Sequence, residues 1–564
     1  MEIEETGQPR GLLISQIGYE LGGSKRLVYR GPKGSLGEGA VFEVLGADGP
    51  VFLGKLQGFG PCWGSYWWIG DFSSLDECGA YTVALRDGDV VVDEAATRIG
   101  EDLLYRETWE AVSVGQAERR QWMIESRLGW FDAGMLWQEA NSHAAYLLGL
   151  CDMRELRGGE LSQGTIRRLD RQIATGCSYL SHLQDLAAEA NLGEGCLVHQ
   201  SFKFDRVVLT ADVSKAAAAW ARSAAVVDEQ RYQAERREWS ERSRKALRWL
   251  EDPQPTEPSV FNRFAYGVGE QEHEPAGWAT TDILMMLEAE WFLAGGVVTE
   301  ASVRWARELR TRQVKQEESE DGYYGMFRQY GNSTATVKAW THGMLEGGVL
   351  PTDLGNTLGF YLFPLLRMVR SRSGHPDESP WRETLRDFAY GFFLPGCCRN
   401  PFSLCPNGHF AGQGAVAFAG LWHGCNAIYG IAAALAREFA QLFNDDAFRA
   451  IADANLQWIA GLNAGLTSNA LASCILFQAD VPESKAVPVS MIQGIGSRTA
   501  GSWLNVRGSI CNGFSVGEQF SWDVPATSED DGPHRFTDED WITHAGGWLM
   551  GVARSRAVRS PSGD

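Results

Sequence analysis

The sequence contains no apolar run approaching the roughly 18 residues that a membrane-crossing helix needs, so no span is expected. Basic residues are the minority: 51 Lys and Arg stand against 72 Asp and Glu, a formal net charge of −21 with no basic block. Nucleic acid and anionic membrane surfaces are held by clustered Lys and Arg, so neither is expected as a partner. Cys-x-x-Cys pairs and Cys/His ladders are also missing. The 11 cysteines are scattered, which in a large chain reads as reduced core residues rather than a disulfide framework. No glycine-rich phosphate loop follows a strand, and Gly494–Gly496 lacks both a third glycine and a βαβ setting. The opening Met1-Glu2-Ile3-Glu4-Glu5 lacks the basic start of a secretory signal. A cytoplasmic location is expected if the native chain begins there.

What is present is a folding composition: 564 residues, 44% hydrophobic and 22% charged, with 21 Trp, 26 Phe and 15 Tyr. Residues 10–98 carry short β-branched and apolar stretches such as Gly11–Gly18, Arg26–Arg30, Ala40–Leu45 and Ala80–Arg86, divided by Gly, Pro, Asp and Ser turns. Seven or so strands in that length predict a β-sandwich. From residue 99 to 556 the apolar spacing switches to three and four. Windows at 135–156, 165–190, 212–227, 229–250, 278–294, 298–314, 333–347, 355–370, 381–393, 425–443, 446–462 and 541–557 predict about twelve helices. Asp212 is read as the N-cap of its helix. Twelve helices are most economically arranged as an (α/α)6 barrel of six hairpins, followed by a tail at 557–564. Long Gly- and Pro-rich interruptions at 317–333, 394–424 and 463–538 exceed simple helix connections and are expected to be functional.

Three segments carry a resemblance. Leu13-Ile14-Ser15-Gln16-Ile17-Gly18-Tyr19 and Asp71-Phe72-Ser73-Ser74-Leu75, the latter ahead of Gly79-Ala80-Tyr81, resemble the N-terminal immunoglobulin-like domain of many glycoside hydrolase family nine enzymes. Gly129-Trp130-Phe131-Asp132-Ala133-Gly134-Met135 is similar to the family's aspartate motif at the start of the barrel. The segment leading into His544-Ala545-Gly546-Gly547-Trp548 matches the family's final helix, and an ungapped count back from it places Glu539 at the family's acid. A gapped match would instead leave Ala545 at that place. The resemblance thus implies a multidomain chain: an immunoglobulin-like β-sandwich followed by an all-α six-hairpin barrel.

It also implies an inverting hydrolase of a β-linked glucan-type oligosaccharide or glycoside, with Glu539 as general acid and Asp132 as base. Such enzymes set an acid and a carboxylate on either side of the scissile bond, with water before the base. The family's second aspartate is Met135 here, which puts the reaction in question and leaves two other readings open. One keeps the fold but acts exo on a non-cellulosic glycoside through another base. The other is a carbohydrate-binding protein that no longer hydrolyses. Trp130, Glu139, His143, Trp340, His342, Trp422, His423 and Arg498 are the expected substrate-binding residues. Glu139 and His143, spaced i and i+4, share a helix face. Family members often bind calcium in acidic loops, but no EF-hand spacing supports it here. No cofactor is required and no metal ligands are expected.

Overall fold

The computed structural model of the chain describes residues 9–134, 137–201, 205–256, 277–331, 358, 360–372, 374–410, 414–418, 426–466, 485–514 and 539–555. Its N-terminal part is built of nine strands: β1 Gly11–Leu13, β2 Tyr19–Glu20, β3 Arg26–Gly31, β4 Val41–Gly46, β5 Gly49–Lys55, β6 Gln57–Cys62, β7 Ser65–Asp71, β8 Gly79–Asp87 and β9 Val90–Gly100. They form two sheets, ordered β1-β3-β7-β6 and β2-β9-β8-β4-β5. All pairs are antiparallel except β2 with β9. Alternation along the strands turns Leu12, Leu27 and Tyr29 of one sheet toward Phe42, Val44, Val83 and Leu85 of the other, and these side chains make one buried core.

The helical part begins at Leu103. Among the described residues, six outer helical segments, 103–122, Gln163–Glu189, Gln233–Leu250, Glu300–Thr311, 378–393 and Ala447–Ile459, alternate along the chain with six inner ones. The inner helices are Ala140–Arg157, Thr210–Val226, Thr280–Leu293, Phe363–Arg370, Asn426–Phe443 and Ile542–Ala553. Most outer helices bury one stripe and expose charge, whereas the inner ones are covered on nearly every side. This is the six-hairpin all-α architecture expected from the twelve periodic windows. The segment 103–122 was not among those windows, because its short apolar turns are interleaved with Arg, Glu and Gln. The window at 333–347 lies outside the described residues.

The inner helices run in one direction, so their C-terminal ends share a floor. There each contributes a charge, and the signs alternate around the ring. Asp152 pairs with Arg222, and Arg222 lies 3.5 Å from Glu288. Glu288 pairs with Arg367, and Arg370 of the same helix turn pairs with Glu438. Glu438 accepts from Arg554 at 2.8 Å, and Arg554 returns to Asp152. Tyr361 donates to Glu288 at 2.9 Å. Asp152, Arg222 and Glu288 are fully buried, where only paired charges are tolerable.

The two parts share a broad seam. Gln16 and Ile17 donate their backbone N–H groups to Ala460, while Trp63 and Trp67 pack on Phe402, which meets Trp458. The nine described cysteines are free thiols. No helix among the described residues is long and apolar enough to cross a membrane.

Candidate active site

Connections that pass from an inner helix to the next outer one are short: 158–162, 227–232, 294–299, 371–377 and 444–446. Those passing from outer to inner are long, at 123–139, 190–209, 251–279, 312–362, 398–425 and 460–541. The described ends of these long connections therefore lie at the end where the inner helices begin, opposite the charged floor. Side chains supplied by loops on a rigid scaffold are where chemistry is expected.

The loop carrying Asp132 is fixed mainly through backbone atoms. Asp132 donates its N–H to the Trp137 carbonyl at 3.0 Å, and its own carbonyl accepts from Ile542 N at 2.7 Å. Arg120, on the first outer segment, donates through Nη1 to the carbonyls of Phe131 at 2.9 Å and Asp132 at 3.2 Å. Its Nη2 reaches Asp540 at 2.6 Å. Gly129 has φ +72°, and a Cβ there would stand 2.7 Å from His143 Nε2. A Cβ on Gly134 would lie 2.1 Å from Trp503, so the loop needs glycine at both places.

Asp132 accepts from the Glu139 backbone N–H through Oδ2 at 2.7 Å, at the N-terminus of helix Ala140–Arg157. Burial first, and the nearby Glu139 and Glu539 carboxylates after it, push its carboxyl up to about 8, against the lowering effects of that N–H and of Arg120. Glu539 is thus close enough for its charge to be felt at Asp132, and the two expected catalytic residues come to the same end of the barrel.

Glu539 is partly exposed and is held by Asn512. The Asn512 N–H donates to the Glu539 carbonyl at 2.7 Å, and Nδ2 donates to Oε2 at 3.0 Å. The orientation of that amide follows from His544. His544 Nδ1 accepts from Ala427 N at 2.9 Å, so Nε2 carries the proton and donates to Asn512 Oδ1 at 2.5 Å. Nδ2 of the amide is therefore left to face Glu539. Asp540, the next residue, is fully buried against Arg120.

Glu139 belongs to a second chain of contacts. Its Oε1 lies 3.5 Å from His199 Nε2, and His199 Nδ1 lies 2.7 Å from Asp212 Oδ2. Although burial alone opposes charge on this ring, Asp212 and Glu139 together push it up to about 10, so it is an imidazolium at neutral pH. Asp212 is consequently not the N-cap expected from the sequence. It lies in the first turn of helix Thr210–Val226, after Leu209, with its carboxylate committed to the ring.

Trp130 and His143 are placed beneath the loop rather than at its surface. Trp130 Nε1 donates to Gln172 at 2.9 Å, and its ring stacks on His143 with centroids 5.2 Å apart. His143 accepts from Trp130 N at 3.0 Å and, through Nδ1, donates to the Glu139 carbonyl at 2.8 Å; burial lowers its pKa to about 4. Both are enclosed parts of the loop's support, because neither ring keeps solvent access. Arg498 is exposed at the seam with the β domain, where Asp93 of β9 is its acidic neighbour and Ser497 donates to the Gln16 carbonyl at 2.8 Å. The structure does not bring it to the Asp132 group. Trp340, His342, Trp422, His423 and Met135 lie outside the described residues.

Sequence reading missed His199, Asn512 and the role of His544. His199 has no local motif, and its one available signal was the pairing of a lone His with the Asp opening the following helix. Several buried polar atoms near the same end, namely both amide atoms of Gln200 and Gln329, Asp212 Oδ1 and Asn426 Oδ1, have no hydrogen-bond partner among the described residues.

No family model matches the chain, and no curated protein matches it. Solved structures do. A metagenome-derived glycoside hydrolase family nine endoglucanase superposes with a TM-score of 0.64 at 16% identity, covering 97% of this chain and 99% of that one. The family nine endoglucanase J30 does so with a TM-score of 0.61 at 17% identity, covering 96% and 100%. A Zn-binding triple mutant of J30 gives 0.62 at 16% identity, covering 96% and 100%. The chain therefore shares the fold of these endoglucanases over nearly its whole length.

Proposed function

We propose that the chain is a glycoside hydrolase that cleaves a β-linked glucan-type oligosaccharide or related glycoside with inversion, Glu539 acting as general acid and Asp132 as base. The carrying observation is the convergence of these carboxyl groups at the loop-rich end of a barrel shared with family nine endoglucanases. Such a reaction needs a protonated carboxyl at the leaving-group oxygen and an ionised one behind the attacking water. Asn512 donates to Glu539 Oε2 and so fixes the orientation of that carboxyl group. Fixed in this way, the acid delivers a proton without first reorganising. The orphaned amides of Gln200 and Gln329 support a polar, hydroxyl-bearing ligand, since buried polar groups are rarely left unmatched.

The test is hydrolysis of soluble β-glucans and cello-oligosaccharides, with the anomer of the first product read by NMR. An inverted product, together with loss of turnover in Asp132→Asn and Glu539→Gln, supports the assignment. Unchanged turnover in Asp132→Asn removes it. A second reading, a carbohydrate-binding protein without hydrolysis, draws on the burial of Asp132, which is 1% exposed. Calorimetric binding of oligosaccharides with no product from any of them would favour it.

A further inference from the structure

The base assigned above is an awkward one by itself. Asp132 is 1% exposed, and its Oδ2 is already engaged by the Glu139 N–H at 2.7 Å. Glu139 is 8% exposed, and its carboxylate has the better route to solvent of the two. Its side chain leaves the last residue before helix Ala140–Arg157 and is met by Ser142 Oγ at 3.3 Å and by the His199 ring at 3.5 Å. The ring is in turn gripped by Asp212 at 2.7 Å, and the His199 carbonyl caps the same helix by accepting from Ala140 N at 2.9 Å. Three elements thus converge to hold one carboxylate beside another.

We propose that the water-activating base is a carboxyl pair, Glu139 with Asp132, and that Asp212 and His199 are the positioning residues that keep Glu139 in place. This rests on the glycosidase reading above. In the reaction the pair, holding one proton between its two carboxyl groups, takes a second from water as the water oxygen bonds to the anomeric carbon. The leaving-group oxygen takes the proton of Glu539 as the glycosidic C–O bond breaks. A carboxylate pair needs a counter-charge to remain partly ionised, and the imidazolium supplies it. Other charges and titratable groups face the pair. They are Arg120 from the first outer segment, Tyr179 from helix Gln163–Glu189, Glu539 before the last inner helix, and the neutral His143 beneath.

The experiment compares wild type with Glu139→Gln, His199→Gln and Asp132→Asn on a cello-oligosaccharide, with folding checked by circular dichroism. Glu139→Gln is expected to lower kcat by about 100-fold while KM stays within about threefold. His199→Gln is expected to move the acidic limb of kcat/KM upward by about one pH unit, because two carboxylates without their cation hold a proton more tightly. Full activity in Glu139→Gln alongside a dead Asp132→Asn overturns the pair and leaves Asp132 acting alone. A fall in His199→Gln activity with an unmoved limb overturns the positioning role.

The His199 ring titration, followed by NMR, does not depend on turnover. It should fall by about one pH unit or more in Glu139→Gln. No movement overturns the proposal whether or not sugar is cleaved. Movement in a protein that hydrolyses no β-glucan removes the glycosidase reading and leaves the pairing of Glu139 with His199 standing.

Discussion

Arg120 and Asp540 form a wholly buried ion pair, 2.6 Å from Nη2 to Oδ2, joining the loop that presents Asp132 to the segment that presents Glu539. The same guanidinium holds the carbonyls of Phe131 and Asp132, and Asp540 also accepts from Leu504 N at 2.9 Å. The two candidate catalytic residues are therefore set relative to each other by one cation.

Removing either partner leaves a charge in a place that water cannot reach. Asp540→Asn or Arg120→Met is expected to cost about 3–5 kcal/mol in denaturant unfolding. The double variant Arg120→Met with Asp540→Leu should recover part of that loss without recovering turnover, because the carbonyls of the Asp132 loop would still lack their donor. Full recovery of activity in the double variant would contradict this role.

The raised carboxyls predict the direction of pH dependence. Asp132 is pushed up to about 8 and Glu20 to about 7, both mainly by burial, so the native state binds their protons more tightly than the unfolded chain does. Their contribution is fully present below the unfolded carboxyl pKa of about 4 and is lost as pH rises through about 7 and 8. The urea midpoint should therefore fall from about pH 4 to about pH 8, and Asp132→Asn should flatten that fall. Activity should rise over the acidic part of that interval as the pair loses its first proton, since the base works only when it carries a negative charge.

Asn512 offers a test of the acid. Asn512→Asp would put a carboxylate where a donor now faces Glu539, raising the proton affinity of the acid and moving the basic limb of the pH–rate profile upward by about one unit. Asn512→Leu removes the donor to Glu539 and the acceptor for His544 together and should lower kcat about tenfold. Unchanged profiles in both variants would show that the amide does not act on Glu539.

The charged floor predicts stability without catalysis. Glu139 and Asp152 lie at opposite ends of one inner helix, roughly 20 Å apart at 1.5 Å per residue. Arg222→Met leaves Asp152 and Glu288 short of a partner and should destabilise the fold by about 3–5 kcal/mol. KM for an oligosaccharide should not change.

The architecture was legible because periodicity is a summed signal. Strands in 10–98 alternate, and inner helices such as Thr210–Val226 are apolar on nearly every face, so many residues agree on one answer. That Asp132 and Glu539 come to the same end of the barrel was legible through motif position. His199 was not, since its partners lie 13 residues ahead on one helix and 60 residues behind at the start of another, and only folding reveals them. Arg120 was hidden for a similar reason: within Gln116–Trp122 it looks like any surface arginine, yet its guanidinium is buried. Trp130 and His143 show the converse. Residue types common in sugar sites were read as binding residues, but the space under the Asp132 loop takes flat rings as filling.

The alternating ring of Asp152, Arg222, Glu288, Arg367, Arg370, Glu438 and Arg554 has a consequence for traffic. Locked together across all six inner helices, these side chains stopper the barrel at one end. Any path to the Asp132 end must therefore start from the opposite end of the inner helices, where they begin. A chain threaded through it from end to end has no exit.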